Sequence, residues 1–461
     1  MTDIFVSPEV IESQWEYAQK VKEIIYKKAD NPKVFLRTFG CQQNEADTER
    51  LAGIAVQCGY TPTEKEEEAD LVIINTCAIR EHAEKRALSG TGQYKKFKER
   101  KPDSIIAVCG CMAQQEYRRE QLERSYPYVN LVFGTDKNHL LAEMLYKTLT
   151  RGKRQYFVSG LKHDELGVIA ENTPILRTSD YKAWVSIMYG CNNFCSYCVV
   201  PYVRGRERSR ASADVLKEIK ELIDSGCKDI TLRGQNVNSY KGDMDFPHLL
   251  DKAASFDGDY RIRFMTSHPK DASSDLIAVM KEHPETIARH FHLPAQAGND
   301  RILKAMNRKY TREKYLSTLF AIKNAMPDNA VTTDIICGFP TETEDEFEDT
   351  VSLIKTAEYD MIYTFIYSPR PGTVAAGMAD QIPHEEKVRR FQRLSAVQDE
   401  ISAEKSKKYI GQTVKVLSDG GCEGRNSQNK IVTLDKDIPA GQFVNAEITE
   451  AKAYGLKGKV I

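Results

Sequence analysis

Two runs of alternating apolar strands and amphipathic helices decide what this chain can fold into. In the first run, residues 34–39, 71–76, 105–108 and 131–133 read as strands, with helices at 44–57 and 80–98 between them. Strands separated by helices pair in parallel through right-handed crossovers. The run therefore predicts a doubly wound parallel sheet that binds ligands beyond the carboxyl ends of its strands. From about residue 180 the pattern restarts, with strand candidates near 184–189, 229–234, 261–266, 290–294, 331–337 and 361–367. Six βα repeats predict a partial (β/α)6 barrel.

The flanks differ. A charged leader, residues 1–31, reads as helical, and residues 383–408 carry apolar positions at helical spacing, as a connecting helix would. Beyond it, short β-rich runs at 413–417, 430–434, 443–448 and 458–461 are punctuated by Gly, Asn and Pro, which predicts a small antiparallel β-barrel. The expected layout is a leader (1–31), a sheet domain (32–155), a barrel domain with its connecting helix (178–408) and a β-module (409–461).

Lys and Arg number 65 against 66 Asp and Glu, so the chain as a whole is no generic polyanion binder, and nucleic acid would have to meet a local patch. The first twenty residues are acidic and lack an apolar core, so no signal peptide or membrane anchor is expected and the cytoplasm is the expected compartment. Eleven cysteines in such a chain argue for reduced thiols serving as metal ligands or core residues rather than a disulfide framework.

Three of them stand in one loop after a strand, Cys191-Asn192-Asn193-Phe194-Cys195-Ser196-Tyr197-Cys198. Three thiolates can hold three irons of a cubane cluster and leave the fourth open to a ligand. Zinc is the competing reading, but it asks for four protein ligands, and no fourth Cys or His is near in sequence. Another three, Cys41, Cys77 and Cys111, are separated by 35 and 33 residues, and each follows a predicted strand of the first run. Parallel strands deliver their following loops to one edge, where three thiolates can meet. Buried apolar thiols are the alternative. Cys58, Cys109, Cys227, Cys337 and Cys422 read as structural: Cys109 and Cys337 continue apolar strands, Cys58 and Cys227 adjoin a glycine at helix ends, and Cys422 stands alone in a turn.

The CxxxCxxC loop at the head of a barrel resembles that of the radical SAM enzymes. With the loops around Cys41, Cys77 and Cys111 it resembles the methylthiotransferase family within them, and Gly234-Gln235-Asn236-Val237-Asn238-Ser239-Tyr240 narrows the likeness to the tRNA-modifying, MiaB-type branch. The resemblance spans residues 33–461 and implies an N-terminal cluster domain, a radical SAM barrel and a C-terminal TRAM domain. It implies a 4Fe-4S cluster on Cys191, Cys195 and Cys198, whose open iron takes S-adenosylmethionine, and an auxiliary 4Fe-4S cluster on Cys41, Cys77 and Cys111. The implied reaction inserts a methylthio group at C2 of N6-dimethylallyladenosine at position 37 of tRNA. It consumes two S-adenosylmethionine molecules per turnover, one donating the methyl group and one the radical, with the adenine between the clusters. An aromatic C–H bond has no acid–base handle, which is why radical chemistry suits it.

Tyr197, Gly234, Gln235, Ser267, Gln296 and Asp334 are candidate S-adenosylmethionine contacts, because polar residues at barrel strand ends gather at active sites. Helix capping is their other reading. His268 and His292 share that rim and carry no assignment, since the chemistry needs no imidazole. Arg204, Arg206, Arg208 and Arg210 alternate just after the cysteine loop and could pin RNA phosphates or the ligand carboxylate, or make surface ion pairs. Residues 405–461 hold ten Lys or Arg against six Asp or Glu, a net charge of +4. That suits an RNA backbone, here the tRNA anticodon stem-loop, from which one base is splayed out. Residues 418–426 are shorter and less basic than a TRAM loop leads one to expect. A monomer served by separate electron and sulfur donors is expected. A ribosomal-protein aspartate and threonylcarbamoyladenosine in tRNA are the rival substrates of sister branches, and a zinc-containing RNA-binding protein is the non-enzymatic rival. The basic β-module and the 234–240 run favour the dimethylallyl substrate.

Overall fold

The computed structural model describes residues 4–79, 81–158 and 167–461, with the backbone alone at His82. The chain divides into two compact units. The first comprises residues 1–178 with 189–192 and 198–208, and the second comprises 179–188, 193–197 and 209–461.

In the first unit β1 (Lys33–Phe39), β2 (Thr61–Pro62), β3 (Leu71–Thr76), β4 (Ile105–Gly110), β5 (Leu131–Phe133) and β6 (Gln155–Phe157) form one parallel sheet in the order β2-β1-β3-β4-β5-β6. Both faces are covered, as runs of successive apolar residues such as 71–74 and 105–108 require. Leu71 and Ile73 of β3 join one core, with residues of the helices α1 (Pro8–Ile25), α2 (Gln42–Gln57) and α5 (Leu141–Arg151). Val72 and Ile74 join the other, under α3 (Glu81–Arg100) and α4 (Glu116–Ser125). The sheet is the doubly wound one expected. The expected strands lie where they were read, whereas β2 and β6 went unread because Thr61–Pro62 and Gln155–Phe157 are too short to show a period. The helix read from 80 begins at Arg80, which lies outside the described residues, as do residues 1–3 of the leader. The leader helix α1 is not a separate segment: Ala18, Val21 and Ile25 enter the first core at helical spacing.

The short segments β8 (Met188–Tyr189), α6 (Val200–Arg204) and β9 (Arg208–Ser209) flank the cysteine loop. In the second unit, β7 (Lys182–Ser186), β10 (Asp229–Arg233) and β11 (Arg261–Phe264) pair in parallel, as do β12 (His290–His292), β13 (Ala330–Cys337) and β14 (Met361–Ile366). A single bridge, Ile262 to Ile287, links the two sets. Helices α7 (Ser212–Asp224), α8 (Phe246–Ala254), α9 (Ser274–Glu282), α10 (Asp300–Ala305), α11 (Arg312–Ala325) and α12 (Glu344–Ala357) alternate with them. Six parallel strands with alternating helices are the partial barrel expected.

Thr343 and Glu346 cap α12 reciprocally, and Arg301 Nη2 donates to Glu346 Oε2 at 2.6 Å. Hydrogen bonds from Arg301 pull the Glu346 carboxyl down to about 2. A carboxylate whose pKa is lowered by folding stabilises above its unfolded value, about 4.3, and the contribution is lost as pH falls towards 2. Glu346→Gln is therefore expected to flatten the acid limb of thermal stability between about pH 4.3 and 2, read by unfolding temperature against pH.

Helix α13 (His384–Lys407) leads to a closed barrel of β15 (Thr413–Gly420), β16 (Glu423–Asn426), β17 (Ile431–Leu434), β18 (Phe443–Lys452) and β19 (Gly455–Val460). One pairing departs from the antiparallel expectation: β17 and β19 run parallel, which closes the barrel. Residues 418–426 form the β15–β16 hairpin, turned by Gly420 and Gly421 at φ of +99° and +63°. Strand β16, Glu-Gly-Arg-Asn, has no apolar alternation by which to be read. No helix among the described residues is long and apolar enough to cross a membrane.

Candidate functional site

The three spaced cysteines meet at one edge of the first sheet for a topological reason. Strands β1, β3 and β4 are neighbours, and Phe39, Thr76 and Gly110 stand side by side in register. Cys41 follows β1 as the N-cap residue of α2, while Cys77 and Cys111 each follow the last residue of their strand. Gly110 makes the last turn possible: its φ is +93°, and a Cβ would sit 2.4 Å from the Thr76 carbonyl oxygen. An amide pair braces the edge. Asn44 Nδ2 donates to Asn75 Oδ1 and to the Thr76 carbonyl, both at 3.0 Å, and Asn75 Nδ2 donates to the Asn44 carbonyl at 2.8 Å.

Cys77 and Cys111 are buried and Cys41 is half-buried. The Cys41 and Cys77 thiols are hydrogen-bonded, which draws Cys41 down to about 5 and pushes Cys77 up, while burial pushes Cys111 up. The positive charge facing them is Arg204, at the end of α6. Its Nη2 lies 2.8 Å from Asp47 Oδ2 of α2, both side chains are nearly inaccessible, and its charge acts on Cys41 and Cys111. Arg204 Nε is buried without a hydrogen-bond partner among the described residues. Three thiols at one edge, two of them beside a desolvated guanidinium, fit a cluster whose thiolates and sulfides are net negative. Among the described residues no three His, Cys, Asp or Glu side chains converge on one ion. A cubane does not ask that of them, since its three thiolates bind three different irons.

At the second cysteine loop, Gly190 takes φ +71°, where a Cβ would meet the Arg206 carbonyl oxygen at 2.0 Å, and the Cys191 amide donates to the Gly205 carbonyl at 3.2 Å. In the second unit, Asn307 Nδ2 donates to the Phe194 carbonyl at 2.8 Å, and the Ser196 amide donates to the Met306 carbonyl at 3.0 Å. Arg308 Nη1 reaches Cys195 Sγ at 3.4 Å, with Nη2 on the Pro294 carbonyl and Nε on Tyr310 Oη. Neither Arg204 opposite the first triplet nor Arg308 beside Cys195 was legible as a thiol partner, because both contacts are long-range and charged residues carry no periodic signal.

Gly234 follows β10, and a Cβ there would lie 2.3 Å from Met188 Cγ. Gln235, half-buried, is next. Thr266 Oγ1 donates to the Gly234 carbonyl at 2.7 Å, so Ser267 lies on the adjoining strand end; its Oγ is buried with no hydrogen-bond partner among the described residues. The Gln296 amide donates to the Asp334 carbonyl at 2.8 Å, which brings those two residues together. Asp334 is inside β13 rather than at its end, and its Oδ1 is 3.5 Å from His292 Nε2. His268 accepts from the Lys270 amide at 3.2 Å, and burial holds its ring neutral, down to about 2.

The arginine series differs from expectation. Arg208 is buried on the carbonyls of Val168, Arg204 and Arg206, and Arg210 is buried on the Ser186 carbonyl and Glu218. With Arg204 on Asp47, three of the four are committed to protein partners. The segment folds inward because Arg208 and Arg210 satisfy buried carbonyls while Arg204 pairs with a buried carboxylate. Arg206 is half-buried.

A family model described as the radical SAM superfamily matches residues 185–354, and one described as uncharacterized protein family UPF0004 matches residues 33–134. Among solved structures, the cobalamin-dependent radical enzyme OxsB superposes with a TM-score of 0.51 at 12% identity, covering 81% of this chain and 57% of that one. The radical S-adenosylmethionine methyltransferase TsrM from Kitasatospora setae superposes with a TM-score of 0.54 at 11% identity, covering 75% and 74%. Fold and cysteine loop thus define a radical SAM protein. The tRNA-2-methylthio-N(6)-dimethylallyladenosine synthase of Acetivibrio thermocellus is 46% identical over 100% of this chain and 98% of its own length. That of Caldicellulosiruptor saccharolyticus is 46% identical over 95% and 94%. The chain belongs to this family of synthases.

Proposed function

We propose that this chain inserts a methylthio group at C2 of N6-dimethylallyladenosine in tRNA. The observation that carries the reading is the convergence of Cys41, Cys77 and Cys111 on one sheet edge against Arg204, in a chain that also holds the CxxxCxxC loop. Cys191, Cys195 and Cys198 would hold one 4Fe-4S cluster, with S-adenosylmethionine at its open iron, and Cys41, Cys77 and Cys111 the other. When bound, the first supplies radical chemistry and the second supplies sulfur.

The chain's own residues set the charge and the geometry. Arg308 faces the Cys195 thiolate and Arg204 the auxiliary thiolates, so each site carries a fixed positive charge where negative charge accumulates. The buried Ser267 hydroxyl, with no partner in the protein, is suited to a polar group of S-adenosylmethionine. Tyr197, Gly234, Gln235, Gln296 and Asp334 are assigned to the same ligand. His292 carries no role in the reading; its ring nitrogens face Asp334 and Thr332. Residues 32–155, 178–408 and 409–461 are assigned as the auxiliary-cluster, radical SAM and TRAM-like regions. The anticodon stem-loop is the RNA element, and the cytoplasm the compartment. Deleting the gene is expected to remove 2-methylthio-N6-dimethylallyladenosine from bulk tRNA and to accumulate its unthiolated precursor, read by nucleoside mass spectrometry. Unchanged methylthio content would overturn the assignment.

A further inference from the structure

The second unit holds a polar cavity of about 450 Å3 at the end of its strands opposite to Gly234, Ser267 and Gln296. Arg261 opens β11, Arg289 precedes β12, and Tyr409, Gln412 and Asn426 come from the C-terminal barrel and its approach. Its size is that of a small-ligand site.

The cavity is a set of donors short of acceptors. Arg261 is 3% exposed and has no carboxylate within ion-pair distance among the described residues. Its Nη1 has the Arg425 carbonyl at 3.3 Å, and its guanidinium lies 5.2 Å from the Phe443 ring centre. A guanidinium that cannot shed its charge is costly to bury without a counter-anion. Burial draws it down to about 10. Tyr409 is 3% exposed and Asn426 fully buried, and among the described residues neither Tyr409 Oη nor Asn426 Nδ2 has a hydrogen-bond partner. Buried donors with no partner in the protein are rare in a folded chain and mark a missing acceptor. Lys408 adds positive charge at the rim. The lining carboxylates are Glu285, which is exposed, and Asp328, 3.7 Å from Arg289.

We infer that this cavity binds a phosphate oxyanion, whose oxygens accept from Arg261, Tyr409 and Asn426. It is a second anion site, remote from the strand ends that face the chemistry, and it requires neither cluster. The phosphate comes from an RNA backbone or is free in solution.

The test is calorimetry of the full-length, cluster-loaded protein with inorganic phosphate and pyrophosphate, with chloride as control, alongside Arg261→Gln and Tyr409→Phe. Losing one charge-assisted hydrogen bond is expected to weaken phosphate binding about tenfold. Tyr409→Phe removes a hydroxyl that bonds to nothing in the protein, so its unfolding temperature is expected to stay or rise while affinity falls, which separates the site from a folding defect. If the source is RNA, Arg261→Gln also weakens tRNA binding and lowers its salt slope by about one. If the source is free phosphate, tRNA binding is untouched while phosphate binding falls. Wild-type protein that takes up neither phosphate nor pyrophosphate, or variants that bind both as well as wild type does, would overturn the inference.

Discussion

Replacing Cys41, Cys77 and Cys111 together by alanine is expected to abolish methylthiolation while leaving reductive cleavage of S-adenosylmethionine intact. The two triplets are carried by different secondary structure. Cys41, Cys77 and Cys111 end neighbouring strands of the first sheet, and Cys191, Cys195 and Cys198 share one short loop. Removing the former leaves the Arg308–Cys195 contact and the bonds of Asn307 to the loop untouched. Iron should fall from about eight to about four per chain, and 5'-deoxyadenosine should still appear. The converse triple variant at Cys191, Cys195 and Cys198 should lose both products. Loss of 5'-deoxyadenosine in the first variant would mean that the two triplets do not act separately.

Arg204→Met is expected to destabilise the first unit by about 3–5 kcal/mol, the penalty for stranding one member of a buried ion pair. Asp47 would be left desolvated without its 2.8 Å partner. The same change removes the positive charge nearest to Cys41 and Cys111, which should lower the reduction potential of a cluster held there. The double variant Arg204→Met, Asp47→Leu should recover much of the stability, because replacing a buried pair by apolar groups is often near neutral. It should recover only part of the potential, because Asp47 acts on Cys111 alone whereas Arg204 acts on both Cys41 and Cys111. Arg204→Lys should restore part of the potential. Thermal unfolding and a redox titration followed by electron paramagnetic resonance separate the two roles; a potential that follows stability in every variant would reduce Arg204 to a structural residue.

Much of this was legible in the sequence, for identifiable reasons. Strands such as Leu71–Thr76 are buried at every position and open with four successive apolar residues, and buried parallel strands leave that signature. Cys41, Cys77 and Cys111 could be placed at strand ends, although whether they met depended on strand order, which periodicity alone does not give. What stayed hidden was set by pairs distant in sequence. Arg204 meets Asp47 across 157 positions, and Arg308 meets Cys195 across 113. Arginines 204, 208 and 210 resembled a phosphate-binding row because alternation looks alike whether guanidiniums face solvent or cap buried carbonyls. Asp334 was read at a strand end because β13 runs three residues past it, to Cys337.

If both triplets carry clusters in one tRNA-modifying chain, protein reconstituted without oxygen should hold about eight irons and about eight acid-labile sulfides. About four of each, or zinc without sulfide, would contradict it.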